Sequence, residues 1–196
     1  MPINPFPEAG GLYHPRNEHD SCGIGFVAHI KGQSSHEIIR RGLDVLLNMD
    51  HRGATSADNA TGDGAGILIQ IPHTFITRTL GIDAGLPGRY ATGLIFLPKI
   101  EEEAALCLDV LNRHIHDEGL ELIGYRDVPV DHTAPGKIAL TTEPAIKQIF
   151  VRSHLEQDAL ERKLFVVRKL TEHTIRQSHL SQKRWFYQPS FSSKVL

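Results

Sequence analysis

The chain reads as an α+β fold, and three observations carry that reading. Strand-like and helix-like runs alternate between residues 91 and 178. The opening holds one strand-like run and one helical run. A long glycine-rich, polar stretch over 50–66 separates that opening from the rest.

The first run, GIGFVAHI (23–30), alternates. Ile24, Phe26, Ala28 and Ile30 share one face, and Gly23, Gly25, Val27 and His29 the other, which is strand period. Lys31 and Gly32 turn the chain. Ser34 and Glu37 have the spacing of a capping box, and Ile38, Ile39, Leu43, Leu46 and Leu47 follow at helical spacing, so an amphipathic helix is expected over 35–49. ILIQI (67–71) reads as a buried strand ended by Pro72, and 73–80 as a short helix. Residues 91–97 read as a strand. The stretch 101–119 is a helix with Glu101, Glu102 and Glu103 solvated in its first turn, where they suit the macrodipole. Its apolar stripe is Ala105, Leu108, Leu111 and Ile115, and Gly119 stops it. Strands are expected at 120–128 and 147–153. The run 160–178 is ambiguous, strand-like from Leu164 to Val167 and helical elsewhere. WFYQPSFSSKVL (185–196) reads as one more strand.

The 196 residues suffice for one domain with a real core, or for a large part of a bigger one. A net charge of -2 argues against a nucleic-acid groove or a polybasic membrane patch, so neither nucleic acid nor membrane is an expected partner. No apolar run approaches the ~20 residues of a membrane span. The first 21 residues lack a cationic start and an apolar region, so they read as a loose leader and not as a signal peptide. Two cysteines, Cys22 and Cys107, do not make a disulfide framework, and a reducing cytoplasm is expected. Twelve histidines invite a metal site, but no His-Glu-x-x-His occurs. His114 and His116 stand two apart on a helix, His173 and His179 read as surface residues, and no metal site is assigned. GDGAG lacks the Gly-Lys-Ser/Thr of a phosphate-binding loop.

Cys22 carries the functional question. One answer is a buried, inert thiol at a strand start. The other is that removal of residues 1–21 makes Cys22 the first residue. Its α-amine, titrating near ~7.7–8, would then be partly neutral and could serve as general base toward its own thiol. Gly23 and Gly25 would let substrate and backbone approach closely. Farther on come DHRGA, with Arg52, and TGDGAGILIQIP.

Cys-Gly-Ile, a helix, His-Arg-Gly and Asp-Gly-Ala-Gly-Ile, in this order, resemble the class II glutamine amidotransferases, which are N-terminal-nucleophile hydrolases. Within that class, the short leader before CGIGF, the HRGA form, TGDGAGILIQIP, GLIFLP (93–98) and WFYQPSFSSKVL resemble the glutamate synthase large-chain family. The resemblance covers nearly all of 17–196. It implies an αββα sandwich, with about its first half present, and a division into a propeptide (1–21) and a partial amidotransferase domain (22–196).

It also implies roles. Cys22 matches the nucleophile that attacks the side-chain amide of glutamine, releasing ammonia for transfer to 2-oxoglutarate and leaving a thioester for water. Arg52 matches an arginine beside the nucleophile; read alone, it is equally a cation at a helix C-terminus. Glycines 62, 64 and 66 let the loop pass close to the site, Gly23, Gly53 and Gly64 are further active-site support, and Asp63 is either a site residue or a turn residue. The implied partners are L-glutamine and the synthase domains or small subunit of a glutamate synthase. FMN and an iron–sulfur cluster are implied for the full-length parent and no cofactor for this segment. The family's His-Gln-Arg-Tyr-Ser and Asn-Gly elements have no counterpart in 182–196. The expected function is the glutaminase part of a glutamate synthase, with no turnover of glutamine by this chain alone; the alternative is a non-catalytic truncated or split fragment that needs a partner chain.

Overall fold

A computed structural model describes residues 23–50, 53–62 and 64–196. The chain divides into two compact units. The first runs to Ile67 and includes Gly136–Ile138; the second comprises Leu68–Pro135 and Ala139–Leu196.

In the first unit the expected amphipathic helix is α1 (His36–Asn48). Its N-cap is Ser35, with no side-chain capping bond, so the capping box from Ser34 is corrected. Glu37 accepts instead from Nε of Arg41 at 3.0 Å, one turn on, which removes the carboxylate from the helix start. The predicted strand at 23–30 is also corrected. Period two marks two faces, but a strand needs a ladder, and none forms there among the described residues. Ile24, Phe26 and Ile30 are exposed.

The second unit is built on a three-stranded antiparallel sheet of β1 (Tyr90–Leu97), β2 (Glu121–Asp127) and β3 (Ala145–Arg152), in the order β1-β3-β2. β3 pairs along its whole length with β1, from Tyr90 opposite Arg152 to Leu97 opposite Ala145. Its pairing with β2 shifts between Leu122 and Gly124, a bulge at Ile123. Helices α2 (Glu101–Asp117) and α4 (Gln157–Gln177) pack against each other and on one sheet face; α3 (Lys137–Thr142) is a short connection. The sheet's alternation serves two cores. Ala91, Ile95, Ile149 and Val151 face the helices with Leu111, Ile115, Leu160 and Leu164. Tyr90 and Phe150 face the other way and pack with Ile76 and Ala84. On that second face Gln148 is hydrogen-bonded at both ends of its amide: its Nε2 donates to Thr92 Oγ1 at 2.8 Å and its Oε1 accepts from Arg126 Nε at 2.7 Å.

The α+β expectation thus holds; among the described residues there is one sheet. The ambiguous run 160–178 lies wholly within or at the end of α4. Leu160, Leu164, Val167, Thr171 and Ile175 are buried at helical spacing, while Phe165 and Val166, inside the strand-like stretch, are exposed. In α2 the buried stripe is Cys107, Leu111 and Ile115, with Leu108 partly buried. Ala105 is exposed, so its assignment to the stripe is corrected by one helical step. Glu103 is not merely solvated. Its carboxylate accepts from Ser181 N and Oγ and from Gln182 N, and these bonds, the Ser181 hydroxyl's first, hold its carboxyl below the ordinary range. The short helix expected over 73–80 is present, and widens into a π-helical turn at Phe75–Thr79.

Two predicted strands are replaced by isolated bridges. ILIQI exchanges Ile69–Leu196 backbone bonds at 2.9 Å and bridges Gln70 to Val195, but Leu68 is exposed, so this is not a buried strand. Residues 185–196 start in a 3-10 turn (Lys183–Trp185) and form bridges with β1 at Tyr187–Phe96 and Ser192–Thr92, without a continuous ladder. Between those bridges the chain lies directly over Gly93, where a Cβ would collide with the carbonyl of Ser190. Pro189 has no N–H to give to a ladder. The segment is pinned from α4: Glu161 accepts from Ser192 Oγ, Ser193 N and Ser193 Oγ, and Gln157 Nε2 donates to Ser193 O at 3.2 Å.

Gln188 contrasts with Gln148. It is 1% exposed, and neither its amide nitrogen nor its oxygen has a hydrogen-bond partner among the described residues. Gln188→Met keeps the volume and removes the unpaired amide, so it is expected to raise stability by about 1–2 kcal/mol, read as a higher urea midpoint. Gly93→Ala is expected to lower it by roughly 1–3 kcal/mol, because backbone has to move. A Gln188→Met midpoint at or below that of the unaltered chain would contradict the first assignment, and a Gly93→Ala midpoint at or above it the second.

Candidate active site

Of the site residues expected from sequence, Cys22, Arg52 and Asp63 lie outside the described residues. Gly23, Gly53 and Gly64 are described, and each is explained by local geometry in the first unit. A Cβ on Gly23 would stand 2.7 Å from Met49 Sδ, and one on Gly25 would collide with Val45 Cγ1. The segment after Cys22 therefore lies against the C-terminal half of α1, at a separation that glycine permits. Gly53 N donates to Asp50 O at 3.0 Å, just beyond the end of α1. Gly64 has open space around it, but its φ of 84° is in the left-handed region, so conformation and not room calls for glycine.

The polar stretch 53–66 contains an ordered loop. Thr55 bridges Gly62, Ser56 N donates to Thr61 O at 2.8 Å, and Asn59, with φ 54°, donates through its N–H to Ser56 O. Asp58 stands at its centre. Oδ1 accepts from Ala60 N (3.2 Å) and Thr61 N (2.8 Å), and Oδ2 accepts from Thr61 Oγ1 (2.7 Å) and Ile138 N (3.1 Å). The Thr61 amide, then its hydroxyl, then the Ile138 amide hold the Asp58 carboxyl well below the usual carboxylate range, against a smaller opposing effect of desolvation. The sequence reading passed over Asp58. Its local signal is an aspartate followed two and three residues on by groups that bond it, as in an Asx turn. The bond to Ile138 had no local signal.

Elsewhere the chemistry is quieter. Cys107 is a free thiol in the core, pushed up to about 11 by burial and then by Glu103, so it is a poor nucleophile at neutral pH. A cleft of about 410 Å³ in the second unit is bordered by His73, Tyr90, Gln157, Ser193 and Lys194, with His73 Nδ1 3.2 Å from Tyr90 OH. Lys194 is ion-paired with Asp158 at 2.8 Å, so its charge is already answered. Among the described residues no three His, Cys, Asp or Glu side chains converge as a metal site would require, and no helix is long and apolar enough to cross a membrane.

Comparison with known proteins bears on the same residues. The family model for class-II glutamine amidotransferases matches residues 22–196, so the match opens at Cys22. The chain belongs to the class II glutamine amidotransferases. It is 38% identical over 200 residues to the glutamate synthase [NADPH] large chain of Bacillus subtilis, covering 100% of this chain and 13% of that one. It is 38% identical over 192 residues to a glutamate synthase [NADH] of Schizosaccharomyces pombe, covering 92% and 9%. To the chloroplastic ferredoxin-dependent glutamate synthase of Oryza sativa it is 34% identical over 197 residues, covering 98% and 12%. The chain thus spans about a tenth of the length of the curated relatives it matches.

The linkage sign for Asp58 is fixed by its depressed pKa. The stability its bonds contribute is fully present above the ordinary value of 3.8 and is lost only as pH falls through the lower folded value. At about pH 3 the carboxylate is therefore expected to remain ionised and the amides of Thr61 and Ile138 to remain protected from exchange. A carboxyl NMR titration with an ordinary midpoint would contradict this.

Proposed function

We propose that this segment is the glutaminase part of a glutamate synthase, with Cys22 as nucleophile. The observation that carries the reading is the family match opening at Cys22, in a chain whose other cysteine is buried and protonated. In this reading residues 1–21 are a propeptide, and their removal gives Cys22 a free α-amine. That amine takes the thiol proton, and the thiolate attacks the side-chain carbonyl carbon of L-glutamine. The carbon–nitrogen bond breaks, the proton passes to the leaving nitrogen, and ammonia departs. Water then cleaves the γ-glutamyl thioester, regenerating the thiol and releasing glutamate. Arg52 keeps the neighbourhood electropositive, which favours thiolate. Gly23, Gly53 and Gly64 keep the backbone close, and Asp63 is a further candidate site residue.

The two-sheet αββα sandwich of N-terminal-nucleophile hydrolases is the parent fold proposed here, with the cytoplasm as its compartment. In the whole protein the ammonia would pass to synthase domains, with a small subunit as a further partner, and be added to 2-oxoglutarate there, with FMN and an iron–sulfur cluster supplying the reducing chemistry. The present residues do not fit a cluster: there are two cysteines, and Cys107 is shut in the core. No step in this segment runs through either group.

The second reading, a segment that acts only with a partner chain, is favoured by one observation. These 196 residues contain no Asn-Gly pair to serve as oxyanion donors, and one such donor is worth about 3 kcal/mol in acyl transfer. Steady turnover of glutamine by this chain alone is therefore expected to be undetectable. Stoichiometric alkylation needs no turnover and tests the nucleophile directly. Intact mass is expected to show loss of residues 1–21. The chloroketone analogue of glutamine is then expected to label Cys22, in preference to Cys107, and to leave a Cys22→Ser variant unlabelled. Equal labelling of that variant refutes the assignment, and Cys22-dependent ammonia release from the chain alone refutes the partner-dependent reading.

A further inference from the structure

We propose that Asp58 is a positioning residue of the glutaminase site: it ties the loop over 53–62 to the distant segment Gly136–Ile138 and thereby sets the stretch that leads into Asp63 and Gly64. The role rests on the glutaminase reading of this region, and it concerns a residue that touches neither substrate nor nucleophile.

Three observations carry it. First, Asp58 joins two parts of the chain eighty residues apart. Oδ1 serves the loop through Ala60 N and Thr61 N, while Oδ2 is shared between Thr61 Oγ1 and Ile138 N. A single carboxylate meets four donors, which a neutral side chain with one acceptor oxygen cannot do. Second, the facing segment is shaped for this contact. A Cβ built on Gly136 would collide with Thr61 N and Thr61 Oγ1 and stand 2.6 Å from Asp58 Oδ2. The two segments therefore approach at a distance that only glycine allows. Third, the tether holds the loop at Thr61, two residues before Asp63 in the sequence. Thr61 precedes Gly62, and Gly62 closes the loop by bridging Thr55. Fixing Asp58 and Thr61 thus fixes the backbone immediately before residues 63 and 64.

The chemistry of the donor set explains why an aspartate stands there. An asparagine in its place would keep one acceptor oxygen and present an amide NH₂ where the second oxygen now accepts. Whichever way the amide is turned, one pair of donors loses its acceptor: either Ala60 N and Thr61 N, or Thr61 Oγ1 and Ile138 N. The carboxylate also stays ionised well into acid, so the tether does not loosen over the pH range in which a cysteine nucleophile works.

The test uses the full chain and breaks the tether from each side separately, with Asp58→Asn and Gly136→Ala. Two quantities are read. One is amide exchange at Thr61 and Ile138, with Ile149–Val151 of β3 as the internal control for an intact fold. The other is the rate of Cys22 alkylation by the chloroketone analogue of glutamine, divided by its rate with iodoacetamide; Cys107, buried, is distinguished by peptide mapping. Gly136→Ala is expected to speed exchange at Thr61 and Ile138, and Asp58→Asn at one or both of them, by about tenfold with β3 unchanged; both variants are expected to lower the alkylation ratio by roughly tenfold. Unchanged exchange in both variants overturns the tether. Faster exchange with an unchanged alkylation ratio overturns the positioning role and leaves the glutaminase reading standing. A native chain whose Cys22 shows no preference for the analogue overturns the glutaminase reading, and the positioning role falls with it for that separate reason. Should Asp58→Asn lose β3 protection, Gly136→Ala decides alone.

Discussion

Antiparallel pairing of Ala145–Arg152 with both Tyr90–Leu97 and Glu121–Asp127 is the constraint on which the second unit depends. As the middle strand, β3 has no free edge, and its alternate residues serve two different cores. Ile149 and Val151 are buried among the helices; Gln148 and Phe150 are buried on the other face. A slip of one residue would put Gln148 among Leu111, Leu160 and Leu164 and bring its amide into an apolar core without partners. The register is therefore defended from both sides, by apolar burial on one and by the Thr92–Gln148–Arg126 bonds on the other.

The edge of β1 is managed differently. An open strand edge offers unpaired backbone groups, and here the segment 187–192 covers it with two bridges and no continuous ladder. Pro189 and the close pass over Gly93 prevent regular pairing, and the carboxylate of Glu161 replaces the missing ladder bonds by gripping Ser192 and Ser193. Glu103 does the same for Ser181 and Gln182. Two helix-borne carboxylates, each charge-assisted in its hydrogen bonds, thus hold the irregular end of the chain onto the helical layer. The first unit repeats the device in Asp58, whose carboxylate organises its own loop and holds Ile138 N.

Much of this was legible in the sequence because it is local. The helices appear where Leu160, Leu164 and Val167 or Leu111 and Ile115 recur at helical spacing, and the three strands of the sheet appear within a few residues of where β-branched and aromatic residues cluster. The order of Cys22, Arg52 and the glycine-rich stretch was sufficient to point to a glutamine amidotransferase, and the family match agrees. Expectation and structure differ where strand periodicity meets no continuous ladder among the described residues. Residues 23–30, 67–71 and 185–196 all alternate or run apolar, yet a strand is a property of two segments, and periodicity reports only one.

What the sequence by itself determined was the chemistry on offer: one cysteine at the head of a glycine-flanked motif, one within a helix, and a glycine-rich loop downstream of the first. Only the tertiary structure decided which of the described groups are available and what holds them. Cys107 is silenced because α2 turns it into the core, where desolvation favours the neutral thiol. Asp58 becomes the centre of its loop because Gly136 and Ile138, eighty residues away, arrive at its carboxylate. Spacing along a chain encodes what neighbours do to one another. Contacts across eighty residues are set by how the elements pack, and that information is not local in any stretch of sequence.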